Sequence, residues 1–240
     1  MSNPLLSEAL KALTTAPDNS TETRVHYADV IVKTAIMFAV TIMFAVVGWR
    51  LGNIGLLLVL PLSLAGVLVV FLAYRRPGRG PALPLTYAAL EGTVVGSISM
   101  MFAAQYGSDI IITAVLATAV VFGVCLAVFS VPAVRESGQG RRFFTVALIS
   151  FLLLSVVSML AGVFFGVGGG WGFYGLGWAG IAIALVATAL SAWSLVIDFG
   201  DVDRAVRTGA PETVTWTLAL GLLVSTIWLY LNMLRLLSRR

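Results

Sequence analysis

Charge is scarce in this chain. Only 11% of its 240 residues are Asp, Glu, Lys or Arg, against roughly 25% in a soluble domain. So few charges cannot cover a water-facing surface, which excludes an ordinary soluble fold. Cysteine is nearly absent as well. Cys125 stands alone, so no disulfide can form within the chain; it lies in an apolar run and reads as a small packed hydrophobe. His26 is the sole histidine and precedes the first apolar run, where it reads as an interfacial side chain. A His/Cys metal set is therefore excluded. The serines have no His or Lys base beside them in the membrane, which argues against an intramembrane protease. The glycine run 166–172 lacks the Lys-Ser/Thr ending and the preceding strand of a phosphate loop. These absences predict a chain that is not an enzyme and holds no cofactor.

What is present is apolar sequence in long runs. Residues are 59% hydrophobic, and the runs fall at 30–49, 54–74, 82–103, 109–130, 143–166, 178–199 and 213–234. About 20 residues of helix cross a hydrocarbon core of roughly 30 Å. The alternating ten-residue segments of a membrane barrel are missing, so helices are the expected spanning form. The fold class read from this pattern is an all-α integral membrane protein with seven transmembrane helices. Residues 1–28 form a cytoplasmic tail, 29–236 the membrane domain and 237–240 a basic C-terminal tail. Residues 1–28 contain no apolar core long enough for a signal peptide. Asn3 and Pro4 read as an N-cap and first helical residue, and Leu5, Leu6, Ala9, Leu10 and Leu13 then share one face. That pattern predicts a short amphipathic helix lying on the membrane, followed by an irregular stretch, TTAPDNSTETR.

The net charge of +4 comes from basic residues in short loops, as topology signals do. Nucleic acid is not an expected partner; the lipid bilayer is. Seven spans put the termini on opposite sides. One side collects Lys11, Arg24, Lys33, Arg75, Arg76, Arg79, Arg135, Arg141, Arg142, Arg204 and Arg207; the other collects Arg50, Arg235, Arg239 and Arg240. The first side should be cytoplasmic, with the N-terminus. The loops 104–108 and 167–177 carry no basic residue, as expected outside, and Trp171, Tyr174 and Trp178 suit the interface. Three of the four outside basic residues lie at the C-terminal end. Either this short tail crosses against the rule, or the last segment is re-entrant; seven full spans are the favoured reading. Trp49, Tyr74 and Trp216 near span ends read as belt residues, and Trp193, Trp228 and Tyr230 as packing residues.

Apart from Asp109, which opens the fourth run, only two acids stand inside the runs, Glu91 and Asp198. Glu91 lies about 13 Å into the third span at 1.5 Å per residue, close to the midplane. An ionised acid there costs on the order of 2.5 kcal/mol or more, so Glu91 must face the bundle. It is either a proton site or cation ligand in a cavity, or a neutral Glu hydrogen-bonded to a neighbouring helix. Gly92 and Gly96 follow at a spacing that lets another helix come close. Asp198 lies at the cytoplasmic end of the sixth span, where a carboxylate opposes the helix dipole. The conflict disappears if the helix runs on. The string DFGDVDRAVRTG predicts that it does: Asp201 can pair with Arg204, Asp203 can pair with Arg207, and Gly209 is a natural stop. Asp198 is then either a gate or cation ligand at the cytoplasmic mouth, or a wet interfacial acid. Asp201 and Asp203 are explained by those local pairs; their spacing with Asp198 has no EF-hand pattern.

Several strings occur in order: Met1 to Pro4, Tyr87-Ala-Ala-Leu-Glu-Gly92, Leu195-Val-Ile-Asp-Phe199, Gly209-Ala-Pro-Glu212, and Trp228 through Leu237. Together they resemble the Bax inhibitor-1/YccA-like family, the transmembrane Bax-inhibitor-motif proteins, in its bacterial branch. The resemblance spans nearly the whole chain. It implies two groups of three helices around a central seventh, and a calcium leak controlled by pH. In such members an Asp ending the sixth span pairs with an Asp in the seventh as a proton-sensitive latch. Asp198 matches the first. The second is replaced: one alignment puts Asn232 there and another puts Ser225, and neither is ionisable. The Arg in the second span that would neutralise the pair also has no match, since 54–74 contains no basic residue.

The resemblance thus implies an inner (plasma) membrane protein with Asp198, Glu91, Asn232 and Ser225 as the polar points of an ion path. Asp198 would be the metal contact and calcium the permeant ion. Two rival readings stand beside it. One is a non-conducting stress-response protein that binds a membrane protease or another membrane protein. The other is a proton-coupled transporter using Glu91; it has no visible inverted repeat to support it.

Overall fold

The computed structural model describes residues 24–75, 80–129, 138–170 and 172–238. The amphipathic helix expected at the start of the chain lies outside them. Among these residues seven α-helices follow one another: α1 (Tyr27–Leu51), α2 (Asn53–Arg75), α3 (Ala82–Tyr106), α4 (Asp109–Phe129), α5 (Gly138–Phe165), α6 (Gly177–Arg207) and α7 (Thr215–Leu237). Short 3-10 turns fill the α5–α6 connection at Val167–Gly170 and Gly172–Gly175, and another, Glu212–Val214, precedes α7. All seven helices are long and apolar enough to cross a membrane. The all-α, seven-span expectation therefore holds. In lipid a helix is the form that pairs nearly all of its own backbone groups. The last segment is one uninterrupted helix of 23 residues, which fits a full span rather than a re-entrant loop.

Helix α6 is longer than its apolar run and has 31 residues. Its extension is the one expected from the charges: Arg204 meets Asp201 at 3.6 Å and Arg207 meets Asp203 at 2.9 Å. Both pairs lie about one turn apart along the helix. Gly209, at φ 65°, ends the helix.

α1, α2 and α3 touch one another, α4 touches α3, α6 touches α1, α4 and α5, and α7 touches α1, α3, α4 and α6. α7 supplies residues to both buried apolar clusters. With Leu229, Met233 and Leu234 it meets Phe102, Cys125, Leu195 and Phe199; with Leu220, Leu223 and Ile227 it meets Met37, Tyr87 and Ala88. Half of its most apolar stretch is buried, as it is in α3.

The α1–α3 contact is close for a reason visible in the glycines. A Cβ on Gly92 would strike the Thr41 carbonyl of α1, and one on Gly96 the Ala45 carbonyl. The approach expected at this small-residue pair is thus made by α1. Ser97 sits at this seam: its hydroxyl donates to the Thr93 carbonyl of its own helix at 2.9 Å and also lies 3.3 Å from the Gly48 carbonyl of α1. Interhelical polar contacts of this kind add to van der Waals packing where no hydrophobic force acts between helices. Cys125 is buried, and its thiol reaches the Ala192 carbonyl at 3.4 Å.

Candidate functional site

The site is built where α6 and α7 run side by side. On α6, Ser194 and Asp198 are four residues apart and share a face; on α7, Gly221 and Ser225 do the same. Ser225 donates its hydroxyl hydrogen to Oδ2 of Asp198, and its oxygen lies 2.7 Å from that of Ser194. Gly221 leaves room for the rest. A Cβ on it would lie 3.3 Å from Oδ1 of Asp198 and 3.2 Å from the hydroxyl of Tyr74, which arrives from α2. Four oxygen-bearing side chains from three helices therefore meet around one glycine.

Of the two alternatives for the seventh-span partner, Ser225 is the residue that meets Asp198. Asn232 lies two turns further along α7, about 10 Å by the helical rise. It is buried and its amide donates to the Ala187 carbonyl of α6 at 3.4 Å. That contact ties the two helices together away from the acid.

Glu91 is on α3, four residues after Tyr87 and on the same face. Its Oε2 atom lies 3.2 Å from the point a Cβ on Gly66 of α2 would occupy, and the Tyr87 ring lies 3.6 Å from that point. The two acids do not touch, but two phenols stand between them. Tyr87 is within electrostatic range of Glu91 and Tyr74, and Tyr74 is within range of Asp198 and Asp201.

These tyrosines were not legible as site residues. Tyr74 reads from the sequence as a belt residue, and its ring is 51% exposed, but its hydroxyl turns inward to Gly221. The available signal was the small-residue spacing Gly221-x-x-x-Ser225, which marks a close helix contact. Other aromatic expectations divide. Trp228 packs on Phe151 at 6.1 Å and the Tyr230 hydroxyl meets that of Ser99 at 2.8 Å. Trp193 departs from its expected packing role and is 48% exposed; on a lipid-facing wall, exposure costs an indole little. Trp216 lies under Lys33, whose ammonium is 5.7 Å from its ring centroid.

Near the Asp198 end of the bundle, the start of the described chain clasps the α6–α7 connection. Val25 donates to the Ala210 carbonyl at 3.0 Å. The Tyr27 hydroxyl donates to Asp203 at 2.6 Å, and Lys33 pairs with Glu212 at 3.0 Å. Asp201 and Asp203 are thus engaged by ion pairs and a hydrogen bond. Among the described residues no group of three or more His, Cys, Asp or Glu side chains is arranged to hold a metal ion.

Seven membrane-length helices make this a multi-pass membrane protein. No protein of curated function matches the chain. The family profile described as Bax inhibitor 1 like matches residues 3–240, essentially the whole length, and the chain belongs to that family.

Proposed function

We propose that this protein is a non-enzymatic cation leak pathway, with calcium as the permeant ion, in a bacterial inner (plasma) membrane and with a cytoplasmic N-terminus. The single observation that carries the proposal is the Ser225–Asp198 hydrogen bond between α6 and α7. It occupies the place where the family resemblance implies a two-acid latch. A hydroxyl replaces the second acid, so the latch is a charge-assisted hydrogen bond rather than a shared proton. Hard cations take oxygen ligands. Asp198, Ser225, Ser194 and Tyr74 supply such atoms at one end, and Glu91 supplies them deeper in the bundle. Asn232 acts as a tie between α6 and α7 beside this path. With one acid in the latch, gating responds less to pH than in members with two.

The test is calcium flux into liposomes carrying the purified chain, at pH 6 and pH 8, beside Asp198→Asn. Flux in the wild type and a lower flux in the variant are expected: the amide weakens the latch but also removes the cation's charged ligand, and the second effect dominates. Silence at both pH values, or equal flux in the variant, overturns the proposal. The replaced seventh-span acid favours one alternative, a non-conducting protein that binds a membrane protease. Co-purification of a protease with a flux-silent wild type would select it. A proton-coupled transporter centred on Glu91 would instead show substrate uptake driven by a pH gradient and lost in Glu91→Gln.

A further inference from the structure

The leak pathway uses no residue at the far end of the bundle, where, with the proposed cytoplasmic N-terminus, an arginine stands against the usual charge rule. Arg235 is in the last turn of α7, at the end away from Asp198. It borders a half-open pocket of about 710 Å³ lined by α3, α5, the start of α6, the end of α7 and the glycine-rich α5–α6 connection. Its guanidinium lies 5.2 Å from the ring centroid of Tyr174. Stacking on an aromatic face leaves the guanidinium's in-plane N–H donors available. Among the described residues Arg235 forms no ion pair.

The glycine string explains how Tyr174 reaches it. Ser158 of α5 accepts a hydrogen bond from the Phe173 amide at 2.8 Å. Gly172, at φ 63°, comes so near the Ser158 carbonyl that a Cβ there would overlap it. Any side chain at 172 would push the connection off α5. The connection is therefore a built wall, pinned at one point and carrying an aromatic platform for one cation. The pocket it lines has two characters. Arg235, Gln105 and Ser158 give it polar groups, while Phe102 and Met159 give it an apolar floor.

We propose that this cavity binds the phosphate of an anionic phospholipid, with Arg235 on the phosphate oxygens and the acyl chains along Phe102 and Met159. Arginine meets phosphate with paired donors. A lipid supplies both halves of the lining, and a basic pocket between membrane helices suits a lipid headgroup. The outward arginine is then a ligand-binding residue rather than a violation of the topology rule. Free phosphate shares the headgroup chemistry but leaves the apolar floor unfilled.

The experiment is native mass spectrometry of the purified full chain titrated with dioctanoyl phosphatidylglycerol. Dioctanoylglycerol, which has no phosphate, is the comparison. Saturable binding of the phospholipid alone is expected. Arg235→Gln should weaken it about tenfold, roughly the loss of one hydrogen bond to a charged group. Gly172→Ala keeps every charge and should weaken it too, by moving the wall. Arg204→Gln removes one positive charge at the opposite end and should change nothing. Thermal unfolding of each variant identifies any that fails to fold, and Arg235→Lys, which keeps the charge, recovers part of the affinity. Equal binding of the phosphate-free lipid, or unchanged binding by folded Arg235→Gln, overturns the proposal. Displacement of the lipid by millimolar inorganic phosphate overturns the lipid assignment in favour of free phosphate; resistance to it supports the lipid.

Discussion

Replacing Ser225 by Ala is the sharpest perturbation of the α6–α7 contact. Ser225 is buried, and its hydroxyl donates to Asp198 while lying 2.7 Å from Ser194. The substitution removes one oxygen and leaves the carboxylate without that donor. A hydrogen bond to a charged group contributes about 1.5–3 kcal/mol. If it holds the closed state, its loss shifts the closed–open equilibrium by roughly ten- to a hundredfold toward open. Calcium entry into dye-loaded liposomes should therefore rise in Ser225→Ala at both pH 6 and pH 8. Ser194→Ala leaves the bond to the acid in place and should raise entry much less, because a neutral hydroxyl pair contributes only about 1 kcal/mol.

The decisive measurement is the double variant. In an Asp198→Asn background the charge-assisted part of the bond is already gone, so adding Ser225→Ala should change flux little. Residues that share one bond couple in this way, whereas independent ones add. Additive effects would refute the latch. So would a Ser225→Ala protein that loses thermal stability while its flux stays at the wild-type level, since the bond would then be structural only.

Three further outcomes follow from particular contacts. Gly96→Ala drives a Cβ into the Ala45 carbonyl, a backbone atom that cannot swing away; overpacking of about 1–3 kcal/mol should lower the midpoint of thermal unfolding in detergent, and an unchanged midpoint would contradict the packing described. Tyr27→Phe removes the 2.6 Å bond to Asp203. It should cost about 1–2 kcal/mol in the same assay without altering calcium flux, and a flux change would extend the ion path to this clasp. Tyr74→Phe keeps the ring and deletes the hydroxyl beside Gly221, so flux should fall with little change in thermal midpoint; equal flux would remove Tyr74 from the path.

The seven helices were legible because hydrocarbon thickness fixes their length and the low charge content leaves no other reading. The extension of α6 was legible because Asp201, Arg204, Asp203 and Arg207 fall at intrahelical pairing distances that do not depend on the rest of the fold. The α1–α3 approach was legible only in part: Gly92 and Gly96 announce a close partner but do not say which helix it is. The choice between Ser225 and Asn232 was not legible, since two ways of aligning the last span differ by seven residues, two full turns that return to nearly the same face. Only the register of α7 against α6 separates them. Tyr74 was missed for a related reason. Its sequence position, one residue before Arg75 at a span end, is that of a belt aromatic, and the inward turn of its hydroxyl depends on Gly221 having no side chain.

Glu91 and Asp198 are not equivalent sites. Asp198 is half-buried next to the end of the sixth apolar run and accepts a hydrogen bond from Ser225. Glu91 is packed between Gly66 and Tyr87 near the middle of its span, where charge is most expensive. In the proposed path an ion moving between them would exchange ligands through Tyr87 and Tyr74, which are weaker oxygen donors than carboxylates. The low point for a cation would then be at Asp198, with a barrier between the phenols and Glu91. A hydroxyl at 225, where the family resemblance implies an acid, would lower the negative charge at the mouth and make that end less retentive. A path with a weak mouth and one costly central acid favours slow leak over tight storage of the ion. In the proposed path the α2–α3 contact, where Gly66, Tyr87 and Glu91 meet, is then a second barrier behind the α6–α7 latch, so flux in Ser225→Ala rises only as far as that barrier allows.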